Sequence, residues 1–261
     1  MKTFRTLGLA LVIATPLIGD EAPITAKKIA TETQKKLENR TLYFRGLRTF
    51  ERMCVQCHGR TGRGNGPWAE TMTNKPRNLR TGTFKFRTTP YGKLPSDSDL
   101  RRTIRSGISG TAMPTFAKMS DSEIEGIVTY VQSLSRRWQD DTNYAVPIKL
   151  PDPPAWFKDL EKINDHVVQG QTLFAKTCAS CHGPSGKGDG PASKGLIDVW
   201  ERPITPANLS EAHYKSGDSP ADLFRTISTG LDGTPMVGFH GALKPEEIWN
   251  LVAHVRSLRK K

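Results

Sequence analysis

The chain has 261 residues, length enough for two ordinary domains, with 36% hydrophobic and 25% charged side chains. That balance is the composition of a soluble globular protein, and no apolar run reaches the length of a membrane span, which excludes a polytopic membrane protein. The formal net charge of +12 is unevenly placed, at +11 over residues 20–137, −2 over 138–160 and +1 over 161–261.

The first element is an N-terminal segment in which Lys2 and Arg5 precede an apolar run over residues 7–19. Basic start and short apolar stretch predict a secretory signal peptide over 1–22 or, if uncleaved, an N-terminal anchor. Residues 23–40 follow as a polar spacer. Export places the chain in the periplasm, free or associated with a membrane, and points the basic residues at protein partners rather than nucleic acid.

From residue 41 the pattern turns helical. Gly46 and Phe50 form G-x-x-x-F on a helix that ends at CVQCHG, residues 54–59. A Gly-rich loop, RTGRGNGP, occupies 60–67, and Asn78-Leu79 stands further on. Residues 83–87 are the one stretch that hints at a strand. In LRRTIRSG, residues 100–107, Arg101, Arg102 and Arg105 lie within about a helical turn of each other and predict a docking face for an acidic partner. The methionine loop GTAMPTF starts at Gly110. Ser120 and Glu123 then make a capping box ahead of a helix over 124–134. Residues 138–160, with Asp152-Pro153-Pro154, read as an extended linker.

The second half repeats the first. Gly170 and Phe174 precede CASCHG at 178–183, PSGKGDGP matches the first Gly-rich loop, and Asn208-Leu209 matches Asn78-Leu79. LFRTISTG at 223–230 and GTPMVGF from Gly233 come next, before a final helix over 248–258 that opens on Pro245-Glu246-Glu247. The organisation is therefore 41–137, a linker over 138–160, and 161–261, each half all-helical with long Gly/Pro loops. Loops of that composition are entropically costly to order, and so few helices bury little apolar area. Something large and apolar should fill each half.

C-x-x-C-H is the attachment signature of c-type haem, with two thiols to fix the macrocycle edge and an adjacent imidazole to ligate iron. A zinc ribbon would pair its C-x-x-C knuckles over about 12 to 20 residues, whereas Cys57 and Cys178 lie 121 apart. A disulfide within C-x-x-C would leave the histidine unexplained. Two covalent haems are thus predicted on Cys54, Cys57, Cys178 and Cys181, with His58 and His182 as iron ligands. His58 is the sole histidine of residues 20–137, so the sixth ligand there is sought among Met53, Met72, Met113 and Met119. Met113 alone has a counterpart, Met236, and the His-to-Met spacings are 55 and 54 residues. His240 and His254 are the rival ligands in the second half, His254 aligning with Tyr130 as a packing residue. His166 and His213 have no counterpart and read as surface. The carbonyls of Pro67 and Pro191 are the expected acceptors for the Nδ1–H of His58 and His182.

On CVQCHG, CASCHG, GTAMP and GTPM the chain resembles the cytochrome c family, in particular tandem dihaem cytochromes c of the bacterial periplasm. The resemblance covers residues 41–258 and implies that the G-x-x-x-F helix of each half crosses its last helix, at Tyr130 or His254. Two departures stand out: a histidine where the family often has an aromatic residue, and no Pro after Met236. The resemblance implies one-electron transfer between respiratory or dehydrogenase partners, as a carrier or as a fixed subunit of a membrane-associated complex. Two His/Met-ligated irons leave no open site, which argues against a dihaem peroxidase and against an enzyme of any kind.

Overall fold

The computed structural model describes residues 26–159, 161–211 and 213–259. The signal peptide or anchor expected over 1–22 lies outside the described residues. The chain divides into two units, one ending at Glu38 and one running from Asn39 to Lys261. Of the first, residues 26–38 are the opening turns of helix α1 (Ala26–Met53). Among the described residues no helix is long and apolar enough to cross a membrane.

In the second unit α1 runs on to the first cysteine and is followed by α2 (Val55–His58), α3 (Asp97–Ser106) and α4 (Asp121–Ser133). The second half repeats the series as α5 (Ile163–Thr177), α6 (Ala179–His182), α7 (Pro220–Thr229) and α8 (Pro245–Ser257). The fold is all-α. Isolated bridges pair Ile197 with Pro203 and His240 with Leu243, and the hint of a strand at 83–87 ends in irregular backbone.

Helix starts are set locally. Ser120 accepts the Glu123 N–H while Glu123 accepts the Ser120 N–H at 3.1 Å, the predicted capping box. Ser96 with Asp99 and Ser219 with Asp222 cap α3 and α7 in the same way. Asp99 is fully buried and also accepts from Thr88 N–H at 2.8 Å and Arg102 at 2.8 Å.

Each half is held by one helix crossing. A Cβ on Gly46 would lie 1.9 Å from the Gly126 carbonyl oxygen, so α1 and α4 touch backbone to backbone. A Cβ on Gly170 would lie 2.0 Å from the Asn250 carbonyl oxygen, which brings α5 as close to α8. One turn on, Phe50 packs against Tyr130 at 5.0 Å between centroids and Phe174 against His254 at 5.1 Å. These contacts centre the two cores, in which Phe50, Ile127 and Val131 are buried on one side and Phe174, Leu251 and Val252 on the other.

The linker is a strap with short 3-10 turns rather than a free tether. Leu94 N–H donates to Asn143 O at 2.9 Å and Ile148 N–H to Thr88 O at 2.7 Å, which lays it on the first half. Trp156 then stacks on His166, centroids 3.6 Å apart, and Phe157 packs edge-on to Trp249. His166 is therefore a joint and not the surface residue expected; its Nδ1 also meets Asn250 Oδ1 at 2.8 Å.

The halves also touch directly. Arg87, 1% exposed, donates to Thr229 O at 2.9 Å, and Tyr91 OH donates to Thr234 O at 2.8 Å. The Arg77 guanidinium lies 3.9 Å from the Trp200 ring centre. Trp200 in turn covers Gly233, where a Cβ would come within 3.0 Å of the indole.

Candidate functional site

α1 stops at Met53, and Cys54 becomes the N-cap of the single-turn helix α2. His58 N–H donates to Cys54 O at 2.9 Å and Cys57 N–H to the same oxygen at 3.2 Å. Positions i, i+3 and i+4 of one turn share a face, so both thiols and the imidazole point the same way. Gly59, at φ 75°, then reverses the chain into the Gly-rich loop, whose Gly64 and Gly66 N–H groups donate to His58 O and Cys57 O at 2.8 and 3.1 Å. A Cβ on Gly66 would come within 2.3 Å of Gln56 O, which is why the loop can wrap the motif only with glycine there.

α6 reproduces this geometry. His182 N–H reaches Cys178 O at 2.9 Å, Gly183 has φ 73°, and Gly188 and Gly190 donate to His182 O and Cys181 O at 2.8 and 3.2 Å.

The imidazoles are oriented differently from the expectation. His58 Nδ1 lies 3.1 Å from Arg77 O and His182 Nδ1 lies 3.1 Å from Ala207 O, so Pro67 and Pro191 are not the acceptors. The Asn-Leu segment is tied back on the Gly-rich loop, with Leu79 N–H on Gly62 O at 2.7 Å and Leu209 N–H on Gly186 O at 2.6 Å. That tie carries the residue two positions earlier onto the ring. The sequence did hold a signal for it, because Arg77 and Ala207 each stand directly before the repeated Asn-Leu pair. Burial pushes the pKa of both histidines down, more than the carbonyl contact raises it, so each imidazole is neutral, with Nδ1–H donated and the Nε2 lone pair left over.

None of the four cysteines is in a disulfide. Burial, with a smaller contribution from Cys57, pushes the Cys54 pKa up to about 12, and burial raises Cys178 as well. A protonated thiol is a poor metal ligand and a poor redox nucleophile. Among the described residues, no group of three His, Cys, Asp or Glu side chains is arranged to hold a metal ion.

Cys54, Cys57, His58 and Met113 border one cavity of about 350 Å³, whose walls include Phe50, Leu79, Phe84, Ile104 and Ile127. Met53, Met72 and Met119 border it too. The loop of Met113 is distinctive: Ile108 N–H donates to Met113 O at 3.0 Å, Met113 N–H to Thr111 Oγ1 at 3.1 Å, and Gly107 turns at φ 64°. The Met236 loop matches it, with Leu231 N–H on Met236 O at 2.9 Å, Met236 N–H on Thr234 Oγ1 at 3.2 Å, and Gly230 at φ 67°. His254 is buried in the α5–α8 crossing, and its ring nitrogens have no hydrogen-bond partner. His240 and His213 are exposed. Two neutral thiols and a neutral imidazole on one face of an apolar cavity, with a thioether on its wall, are the donor set that a covalently attached haem requires.

The cytochrome c family model matches residues 167–259, and that of the cbb3-type cytochrome c oxidase subunit III matches residues 43–131. A chain of the Kuenenia stuttgartiensis reducing HAO-like protein complex is 32% identical, with a TM-score of 0.75 over 83% of this chain and 96% of that one. The chain belongs to the cytochrome c family. As a cytochrome c with two haem domains it carries two covalently bound haem c groups. This cytochrome is also similar to the CcoP subunit of the cbb3-type cytochrome c oxidase of Azospirillum sp. (strain B510), 24% identical over 89% of this chain and 68% of that protein. The FixP subunit of Azorhizobium caulinodans is 26% identical over 82% of this chain and 58% of the relative, and CcoP of Rubrivivax gelatinosus is 26% identical over 91% and 61%. The chain thus spans about three fifths to two thirds of the length of these relatives.

The three arginines of α3 do not form the open docking face expected. Arg101 pairs with Glu125, Arg102 with Asp99, and Arg105 with Asp121. Asp99, one turn earlier on α3, neutralises Arg102, and acids of α4 neutralise Arg101 and Arg105, a pairing between elements that the local run of arginines hides.

Proposed function

We propose that this cytochrome transfers single electrons through two His/Met-ligated haems, as the exported electron-transfer subunit of a membrane-associated oxidoreductase complex. Cys54 and Cys57 hold the first haem and Cys178 and Cys181 the second; His58 with Met113 and His182 with Met236 are the axial pairs. The observation that carries this reading is the shared build of the two methionine loops, each closed by the same backbone–backbone bond and the same bond from the methionine N–H to a threonine hydroxyl.

The chemistry follows from the side chains. Each histidine keeps Nδ1–H on a carbonyl, which fixes the ring and the donor nitrogen. A neutral thioether favours ferrous iron and occupies its last position, so Met113 and Met236 favour electron transfer over turnover of small ligands. Residues 1–22 supply the export signal or anchor, and domains over 41–137 and 161–261 hold one haem each, joined by the strap at 138–160. Acidic partners would meet the exposed cations of the first half that α4 does not neutralise, such as Arg60, Arg63 and Arg80.

Similarity to oxidase subunits along most of the chain favours a fixed subunit over a free carrier. Two measurements test the proposal. Spectroelectrochemical titration of the holoprotein should show two positive-potential centres, each with the Met-to-ferric-iron charge-transfer band; Met113→Ala and Met236→Ala should each abolish one band, and persistence of both bands in either variant rejects that ligand. Fractionation of native membranes should leave the protein in a large assembly, whereas release by salt as a single chain would identify a free carrier.

A further inference from the structure

The wall of the first cavity is not supplied by the first half alone. Asp198, Arg202, Pro203, Ile204 and Lys215 of the second half also border it. Its charged lining is lopsided: Lys75, Arg77 and Lys85 from one half and Arg202 and Lys215 from the other, against Asp198 as the one carboxylate.

These cations outnumber the carboxylates beside them. Among the described residues none of the five makes an ion pair. Lys75 donates to Ala69 O and Glu70 O at 3.1 and 2.8 Å, and Lys215 to Asn74 Oδ1 at 2.7 Å. Arg77 rests on Trp200. Asp198 is engaged by its own turn, its Oδ1 accepting from Trp200 N–H at 2.9 Å and Arg202 N–H at 3.1 Å. Burial, reinforced by the charge of Arg77, pushes the Lys85 pKa down to about 8.

Arg77, Lys85 and Arg202 are half-buried, and half-buried cations of like sign beside an apolar cavity are costly unless an anion joins them. The occupant that suits the cavity has an apolar body and acidic groups at one edge, and haem is such a molecule, an apolar plate with two carboxylate arms.

We propose that the second half completes the first haem site, with Arg202 and Lys215 joining Arg77 and Lys85 to bind the carboxylate arms of the first haem. The cofactor then bridges the two halves, and the potential of the first haem depends on side chains that lie more than 120 positions from CVQCHG. This rests on the assignment of the Met113 cavity to the first haem.

The test uses the holoprotein with Arg202→Gln, Lys215→Gln and both together, read by redox titration and by the carboxylate-arm bending modes in resonance Raman spectra. Less positive charge beside the site should disfavour reduction. The double variant should lower the equilibrium constant for reducing the first haem about tenfold, or about 59 mV for one electron, leave the second haem within a factor of two, and shift the bending modes of one haem. Arg202→Lys should restore most of the loss. Unchanged first potential and unchanged modes, or equal shifts at both haems, would overturn the proposal. Lys215 is exposed, so its single variant keeps the fold and decides the matter even if the double variant does not assemble. Should Met113→Ala leave the charge-transfer bands intact, the cavity assignment itself is wrong, an outcome distinct from silent Arg202 and Lys215 variants.

Discussion

Asp99 shows how a single side chain can anchor a half. Burial raises the pKa of its carboxyl, but the Thr88 N–H, the Ser96 hydroxyl and N–H and the Arg102 guanidinium together bring it below the ordinary value. A depressed carboxylate pKa stabilises the fold above the unfolded value of about 3.9, and that contribution is lost as pH falls through the lower folded value. Urea unfolding of the holoprotein should therefore lose stability below about pH 4, and Asp99→Asn should flatten that acid limb while costing about 3 kcal/mol at pH 7, the scale for breaking one side of a buried pair. An unaltered acid limb in the variant would remove Asp99 from this role. The histidines carry a related lesson. Their acceptors are backbone oxygens, so Arg77→Ala should keep the proximal ligation of the first haem, seen as an unchanged low-spin absorption spectrum.

The helix crossings were legible as local pattern. G-x-x-x-F in each half marks the position where Gly46 and Gly170 let two backbones meet, and the phenylalanine one turn on marks the core. Gly46→Ala or Gly170→Ala forces a methyl group into a carbonyl and should cost about 3 kcal/mol, the upper end for overpacking, measured as a lowered unfolding midpoint. The capping box at Ser120 and the methionine loops were equally visible, because their partners lie a few residues away. What escaped was set by contacts between distant segments. Arg101 and Arg105 of α3 meet acids of α4, His166 meets Trp156 of the strap, and His58 meets Arg77, and none of these pairings has a periodic signature. The repeat held one clue, the shared Asn-Leu, which becomes readable only once each loop is known to fold back on its motif.

On the scale of the whole molecule, the missing proline after Met236 has a structural counterpart. Pro114 follows Met113 in the first loop, whereas the second loop is held from outside, by Tyr91 on Thr234 O and by Arg87 on Thr229 O. Tyr91→Phe should weaken the folded state by about 1 kcal/mol and Arg87→Met by about 2 kcal/mol, since each leaves a buried carbonyl short of a donor. During denaturant titration of either variant, the charge-transfer band of the second haem should disappear before that of the first. Simultaneous loss of both bands would show that the first half gives this loop no special support.

The contact between Arg77 and Trp200 carries one further implication. The residue whose carbonyl orients His58 rests on the ring that covers the turn before Met236. The back of the proposed first iron site is thereby in contact, through two side chains, with the front of the proposed second one. Severing the chain within the strap would leave the second half without the donors Arg87 and Tyr91, and the first without the ring on which Arg77 rests.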